Sequence, residues 1–312
     1  MKIIEYYYGQ TPDISECVLA LGYFDGLHLG HRKLLLAARS EAKNRGLSFG
    51  VFTFATGEHT KPGAKKLLSD ATKASLLERL GADFVIFADF PSIAGLEAEK
   101  FAKEVLYQTF KTRVAVAGFN YRFGKGALGD APLLSSVMKS LGADVIILDD
   151  FRLDGETVST TGIREALLRA NLSLVNRYLG YTYFIPGEVM RGRKVGTKLG
   201  FPTINTSFDK SIASPKAGVY STVTVIDGAA YPSITNVGVC PTFAPREKHL
   251  ETYLFDFDGD LYGKKANIHF IDYLREEKRF SDEKDLIMQI NIDKNKVLQN
   301  IGDIKWQDFG QS

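Results

Sequence analysis

From Cys17 to Leu148 the chain alternates short β-rich runs with stretches of helical periodicity, and this alternation constrains its fold more than any other feature. Cys17–Leu21, Leu47–Phe54, Phe84–Phe87, Arg113–Ala117 and Asp144–Leu148 read as strands. Between them, Arg32–Arg45 carries Leu35, Ala38 and Ala42 at helical spacing. Ser69 or Asp70 can cap a helix that ends at Leu80 before Gly81. Glu97–Phe110 and Pro132–Leu141 read as two further helices. Repeated strand–helix units of this size predict a parallel sheet doubly wound with helices, an α/β fold. Such sheets bind ligands beyond the carboxyl ends of their strands.

The pattern changes after about Tyr181. Tyr183–Val189, Gly218–Ile226, Ala230–Val239, His249–Phe257 and Ala266–Tyr273 are strand-like and separated by turn residues, which predicts an antiparallel barrel or sandwich. Asp282 to about Leu298 then reads as a helix packed on it, through Leu286, Ile290 and Val297. The 312 residues accommodate two domains, expected at 1–182 and 183–312. Charge is nearly balanced, with 39 Lys and Arg against 37 Asp and Glu, so there is no electrostatic footprint for coating nucleic acid. The 2 cysteines, Cys17 and Cys240, are too far apart for a C-x-x-C pair, which disfavours a disulfide scaffold or a cysteine zinc site. No apolar run approaches a membrane span of about 18 residues, and the start, MKIIEYYYGQ, lacks a signal-peptide core. A cytoplasmic protein without membrane or nucleic-acid partners is expected; its oligomeric state is left open.

Gly22-Tyr-Phe-Asp-Gly-Leu-His-Leu-Gly-His31 follows a strand and opens a helix. Gly22 and Gly26 permit a tight turn and close backbone approach. Free N–H groups at the helix start favour a phosphate, and His28 and His31, three residues apart, share a face beside it. Two imidazoles there can donate hydrogen bonds to a phosphorus centre where charge grows in a transition state. Further on, Ser159-Thr-Thr-Gly-Ile-Arg164 offers caps for a helix beginning near Ile163, and Arg164 supplies a planar cation for phosphate.

Gly22–His31 resembles the G-x-F-D-G-x-H-x-G-H signature of nucleotidyltransferases related to the HIGH superfamily. Gly118-Phe-Asn-Tyr-Arg-Phe-Gly124, with Gly129-Asp130, is similar to the G-x-[DN]-[FY]-x-F-G segment of bacterial FAD synthetases, and Ser159–Arg164 to their S-[ST]-T-x-I-R motif. The resemblance implies that Gly22, Phe24, Asp25, Gly30, Asn120, Ser159, Thr160 and Thr161 meet ATP, while His28, His31 and Arg164 promote adenylyl transfer.

The second half carries its own set. Gly187–Gly200 is glycine-rich and basic, does not satisfy the Walker pattern, and runs into Phe201-Pro-Thr-Ile-Asn205. This combination resembles the G-x-x-L-G-[FY]-P-T-x-N motif of riboflavin kinases. Gly218-Val-Tyr220, Asn236–Phe243, Leu250–Gly263 and Leu274–Phe280 resemble further segments of that family, in its order. The resemblance implies ATP at Gly196, Mg²⁺ at Thr203 and Asn205, flavin near Asn236 and Arg275, and Glu251 as the base for the ribityl hydroxyl. Oxygen ligands suit such a hard cation. A bifunctional FAD synthetase is therefore expected, with riboflavin, FMN and ATP as substrates and FMN and FAD as products.

The chain also departs from the family pattern. Phe52–Glu58 lacks the prolines and histidine of F-T-F-x-P-H-P, Cys240 and Thr197 stand where arginines are usual, and Tyr181-Thr182 replaces Arg-Pro. Two other readings use part of the pattern. One is a nucleotidyltransferase with another phosphate-ester acceptor, which the kinase motifs disfavour. The other is a flavin-binding or monofunctional protein with one site weakened.

Overall fold

The computed structural model describes residues 1–55, 65–190, 200–239 and 248–302. They form two compact units, Met1–Thr160 and Thr161–Ser312.

In the first unit the chain runs β1 (Lys2–Tyr6), β2 (Cys17–Leu21), α1 (Leu29–Arg45), β3 (Ser48–Phe54), α2 (Asp70–Arg79), β4 (Phe84–Ala88) and α3 (Phe90–Ile93). It continues through α4 (Ala98–Lys100), β5 (Thr112–Gly118), α5 (Ala131–Ser140), β6 (Asp144–Leu148) and a short hairpin, β7 (Arg152–Leu153) with β8 (Glu156–Thr157). The six longer strands form a sheet in the order β1-β4-β3-β2-β5-β6, with every neighbouring pair parallel. Strand β2 shows why helices must cover both faces. Cys17, Leu19 and Leu21 bury into one core with Phe101, Leu106, Leu134 and Met138. Val18 and Ala20 bury into the other with Leu35, Ala38, Ala74 and Leu77. This is the doubly wound arrangement expected from the alternation.

The strands anticipated in this half are all present within a few residues, and so are the helices but one. Ser69 caps α2, its hydroxyl accepting the Thr72 N–H at 3.1 Å. Edge strand β1, unassigned from sequence, pairs with β4. The stretch read as one helix over Glu97–Phe110 is instead α4 followed by a π-helix over Phe101–Thr109. The wider winding shows in its hydrogen bonds, with the Phe110 N–H donating to Val105 O, five residues back, at 3.1 Å. Thr109 adds a hydroxyl bond to Glu104 O, five residues back, at 2.8 Å.

At the division comes α6 (Thr160–Leu168) and then, in the second unit, α7 (Leu172–Leu179), β9 (Phe184–Met190), β10 (Thr203–Ser207), β11 (Gly218–Ile226), β12 (Ala229–Val239), β13 (Lys248–Leu254), β14 (Lys265–Arg275) and α8 (Glu283–Ile301). The six strands close a barrel in the order β10-β13-β12-β11-β14-β9, antiparallel throughout and sealed by the β9–β10 pair. Inward residues form layers. A middle band of hydroxyls links Thr224 to Ser233, Ser233 to Thr222, Thr222 to Thr235 and Thr235 to Thr252 at 2.8–2.9 Å. Helix α8 covers part of the outer face, its Val297 and Ile301 packing with Val219, Val223, Ile234 and Phe255.

The expected boundary at 182/183 differs from the division at 160/161. Hydrogen bonding accounts for the difference. Asn176 of α7 donates to Phe270 O at 3.0 Å and accepts the Tyr183 N–H at 2.8 Å, while Lys216 N–H donates to Leu167 O of α6 at 3.1 Å. The two helices are thus tied to the barrel.

Candidate active sites

Strand β2 has β3 on one side and β5 on the other, so the sheet's topological switch point lies between β2 and β5. Ligands of open parallel sheets bind beyond the strand ends at such a point. The Gly22–His28 loop leaves β2 there, and Phe119-Asn120 leaves β5 with both side chains exposed.

The loop is strained and firmly held. Phe24, Gly26 and Leu27 all have positive φ, at 52°, 79° and 40°. For the non-glycine pair this costs on the order of 1–3 kcal/mol each and persists only where surrounding contacts enforce it. The buried Phe24 ring lies over Gly22, where a Cβ would come within 2.8 Å of it, and meets His31 edge-on at 5.4 Å. Asp25, expected at ATP, is 1% exposed, and its Oδ1 accepts the N–H groups of Leu67 and Leu68 at 2.9 and 3.2 Å. That carboxylate ties the loop to the segment before α2. Thr160 Oγ1 donates to Asp25 O at 3.3 Å.

His28 caps α1, its Nδ1 accepting the His31 N–H at 3.3 Å. An accepting Nδ1 leaves the proton on Nε2, so the loop itself selects the tautomer. The two imidazoles stack with centroids 3.6 Å apart. A Cβ on Gly30 would lie 3.2 Å from the His28 ring, which explains the glycine. Burial lowers His28 to about 4. Burial also holds His31 well below the ordinary imidazole range, with His28 and Lys73 adding to the effect. Both rings are therefore neutral N–H donors near pH 7. His31 Nδ1 is buried with no hydrogen-bond partner among the described residues. The first turn of α1 holds no acidic side chain to oppose an anion.

Sequence reasoning missed Lys73. It lies on α2 fully buried, its ammonium donating to Tyr23 O at 3.0 Å and to Phe54 O at 3.3 Å. The signal was available, because Lys73 stands four residues before Leu77 on the same apolar stripe. Ser159 precedes α6, and the helix begins at Thr160, earlier than the expected start near Ile163. Thr160 and Thr161 are thus first-turn residues. Thr161 and Arg164 belong to the second unit.

In the second unit Asn205, Glu251 and Asn236 are direct cross-strand partners on β10, β13 and β12, forming one row on the barrel's outer face. Thr203 stands diagonally across, its Oγ1 donating to Glu251 Oε1 at 2.8 Å. All four are half-buried. Asn236 Nδ2 donates to Glu277 Oε1 at 3.0 Å, and its buried Oδ1 has no partner among the described residues. Arg275, expected beside flavin, is bound to α8, with Nε donating to the buried Asp293 at 2.8 Å. Among the described residues no three His, Cys, Asp or Glu side chains gather to hold a metal. Neutral oxygens of Thr203 and Asn205 beside the Glu251 carboxylate nevertheless form a donor set fit for a hard cation. Gly196, Thr197, Cys240 and the Thr56–Glu58 part of the altered loop lie outside the described residues.

Among the described residues no helix is long and apolar enough to cross a membrane. An FAD synthetase family model matches residues 10–162, and a riboflavin kinase model matches residues 179–301. The bifunctional riboflavin kinase/FMN adenylyltransferase of Bacillus subtilis (strain 168) is 31% identical over 302 residues, covering 93% of this chain and 94% of the relative. The enzyme of that description from Pseudomonas fluorescens is 33% identical over 298 residues, covering 94% and 96%. A crystal structure described as a macrolide-efflux protein from Streptococcus pneumoniae matches with a TM-score of 0.85 at 28% identity, covering 95% of this chain and 99% of that one. Two family models in order, relatives alike over nearly their full length and a wound sheet followed by a closed barrel agree, and the chain belongs to the bifunctional riboflavin kinase/FMN adenylyltransferase family.

Proposed function

We infer that the chain phosphorylates riboflavin to FMN at the barrel and adenylylates FMN to FAD at the wound sheet. In the first step a ribityl hydroxyl oxygen attacks the γ-phosphorus of ATP, Glu251 accepts the hydroxyl proton, and ADP leaves. Thr203 already donates to Glu251, which orients the carboxylate. In the second step an FMN phosphate oxygen attacks the α-phosphorus of ATP, and pyrophosphate leaves. Neutral His28 and His31 donate hydrogen bonds to the phosphate oxygens as charge grows on them. The observation that carries this step is the loop-selected tautomer of His28, with its Nε2–H free of the cap.

Thr203 and Asn205 would hold Mg²⁺ with ATP, where the cation neutralises phosphate charge. Gly22, Gly30, Asn120, Ser159 and Thr160 would surround ATP at the first site, and Gly196 at the second. Asn236 and Arg275 would border the flavin, and Asp25 and Phe24 would act by holding the loop. Reliance on ATP fits a cytoplasmic setting.

Incubation with riboflavin, ATP and Mg²⁺ followed by chromatography of the flavins tests the whole reading. FMN and then FAD are expected. Accumulation of FMN alone would mean a silent adenylylation site, and no phosphorylation would overturn the kinase assignment.

The domain boundary has its own test. A fragment of residues 161–312 should fold and phosphorylate riboflavin, because α6 and α7 stay with the barrel that they bind. A fragment of 183–312 keeps every described kinase-site residue but loses Asn176 and its two bonds, so it should phosphorylate riboflavin yet melt at lower temperature. Equal melting temperatures would show that the helices add nothing to the barrel.

A further inference from the structure

The adenylylation loop holds two non-glycine residues at positive φ, and something must enforce that shape. The Phe24 ring over Gly22 and the Asp25 carboxylate on the Leu67 N–H fasten its middle. Lys73 fastens Tyr23, where the chain leaves the sheet. Its Nζ lies 3.0 Å from Tyr23 O and 4.8 Å from the centre of the Tyr23 ring, so it grips backbone and side chain of one residue. Its other neighbours are Phe54 O at 3.3 Å and Thr53 Oγ1 at 3.4 Å, both at the carboxyl end of β3. Thr53 Oγ1 itself donates to Tyr23 O at 2.9 Å. Three acceptors around one nitrogen match the three N–H bonds of an ammonium, whereas a neutral amine has only two.

We propose that Lys73 is a positioning residue for adenylyl transfer, its ammonium clamping Tyr23 to the end of β3 and so holding the Gly22–His31 loop in its phosphate-accepting shape. The proposal rests on the assignment of that loop as the adenylylation site. Charged and titratable groups face Lys73 from every side. Asp70 on its own helix and Asp25 on the loop favour its charge, and Lys66, before the helix, opposes it. His31 on α1 feels the charge in turn, and the Phe87 ring of β4 lies 5.8 Å away. Burial dominates and lowers Lys73 to about 8. The clamp is therefore complete below neutral pH and is lost as pH rises through that value.

The experiment measures FAD formation from supplied FMN as a function of pH, with riboflavin phosphorylation recorded on the same preparations. Wild type should lose adenylylation along an alkaline limb centred near pH 8. Lys73→Arg, which keeps the charge, should move that limb upward by at least one pH unit. Lys73→Met should lower FAD formation about tenfold or more while leaving phosphorylation unchanged, since misplacing reacting groups by about 1 Å can cost about a hundredfold. Absence of the alkaline limb in wild type overturns the proposal even if the Met variant does not fold. So does a folded Lys73→Met protein that makes FAD within threefold of wild type. His31→Ala is assayed in parallel. If it too retains adenylylation, the assignment of the loop has failed, and the role of Lys73 falls with it.

Discussion

Glu251→Gln is expected to lower FMN formation by about a hundredfold or more, the lower end of what loss of a general base costs. The amide keeps the shape of the carboxylate and can still accept from Thr203 Oγ1, but it cannot take the proton of the ribityl hydroxyl. ATP and riboflavin should bind as before, because Thr203 and Asn205 are untouched. FAD formation from supplied FMN should continue at the wild-type rate. Steady-state phosphorylation at saturating substrates makes the measurement. A variant that phosphorylates riboflavin within threefold of wild type would show that Glu251 serves only to hold Thr203, as a structural strand residue would.

His31→Ala and His28→Asn are expected to cut FAD formation by about a hundredfold each, since loss of one preorganised transition-state donor costs about 2.7–4 kcal/mol. Asparagine is chosen at 28 because it caps helices well, so α1 keeps a cap while the Nε2–H donor is lost. His31→Ala removes the stacked partner and the ring against which Phe24 rests. Riboflavin phosphorylation should survive both changes, because the row of Asn205, Glu251 and Asn236 belongs to the barrel. Equal loss of both activities in a folded protein would defeat the assignment of two separate sites.

The sequence exposed what repeats locally. Short β-rich runs and helical spacing placed nearly every strand and helix of the wound sheet, because its central strands are covered on both faces and its helices bury one stripe. It missed β1, an edge strand in which only Ile4 and Tyr6 are buried, so it lacks the continuous apolar run of its neighbours. The π-helix was hidden because a stripe of Phe101, Val105 and Phe110 suits an α-helix almost as well. His28 and His31 were legible as a pair, but their neutrality depends on burial that no local pattern reveals. Asp25 is placed at ATP by its position in the signature that Gly22–His31 resembles, whereas the partners of its carboxylate, the Leu67 and Leu68 amides, lie more than forty residues on. Lys73 was passed over because a lysine in a helix ordinarily faces water, although it shares the stripe of Leu77. Likewise the α6–α7 pair reads as the end of the first half, and only its hydrogen bonds to the barrel assign it to the second.

The hydroxyl band inside the barrel acts as a parity check on strand alignment. Along β11 the inward residues run Tyr220, Thr222, Thr224, Ile226; along β13 they run Leu250, Thr252, Leu254. In each strand the polar positions lie mid-sequence with bulky groups beyond them. A slip of two residues would keep the same face inward and so pass any test based on alternation alone. It would also set threonine against leucine or isoleucine and strand buried hydroxyls without partners, at about 1–3 kcal/mol apiece. Greasy interiors accept many shuffled pairings, but this one accepts a single alignment. The same alignment brings Asn205, Glu251 and Asn236 abreast on the outside wall, so an error in reading the interior would scatter that row as well.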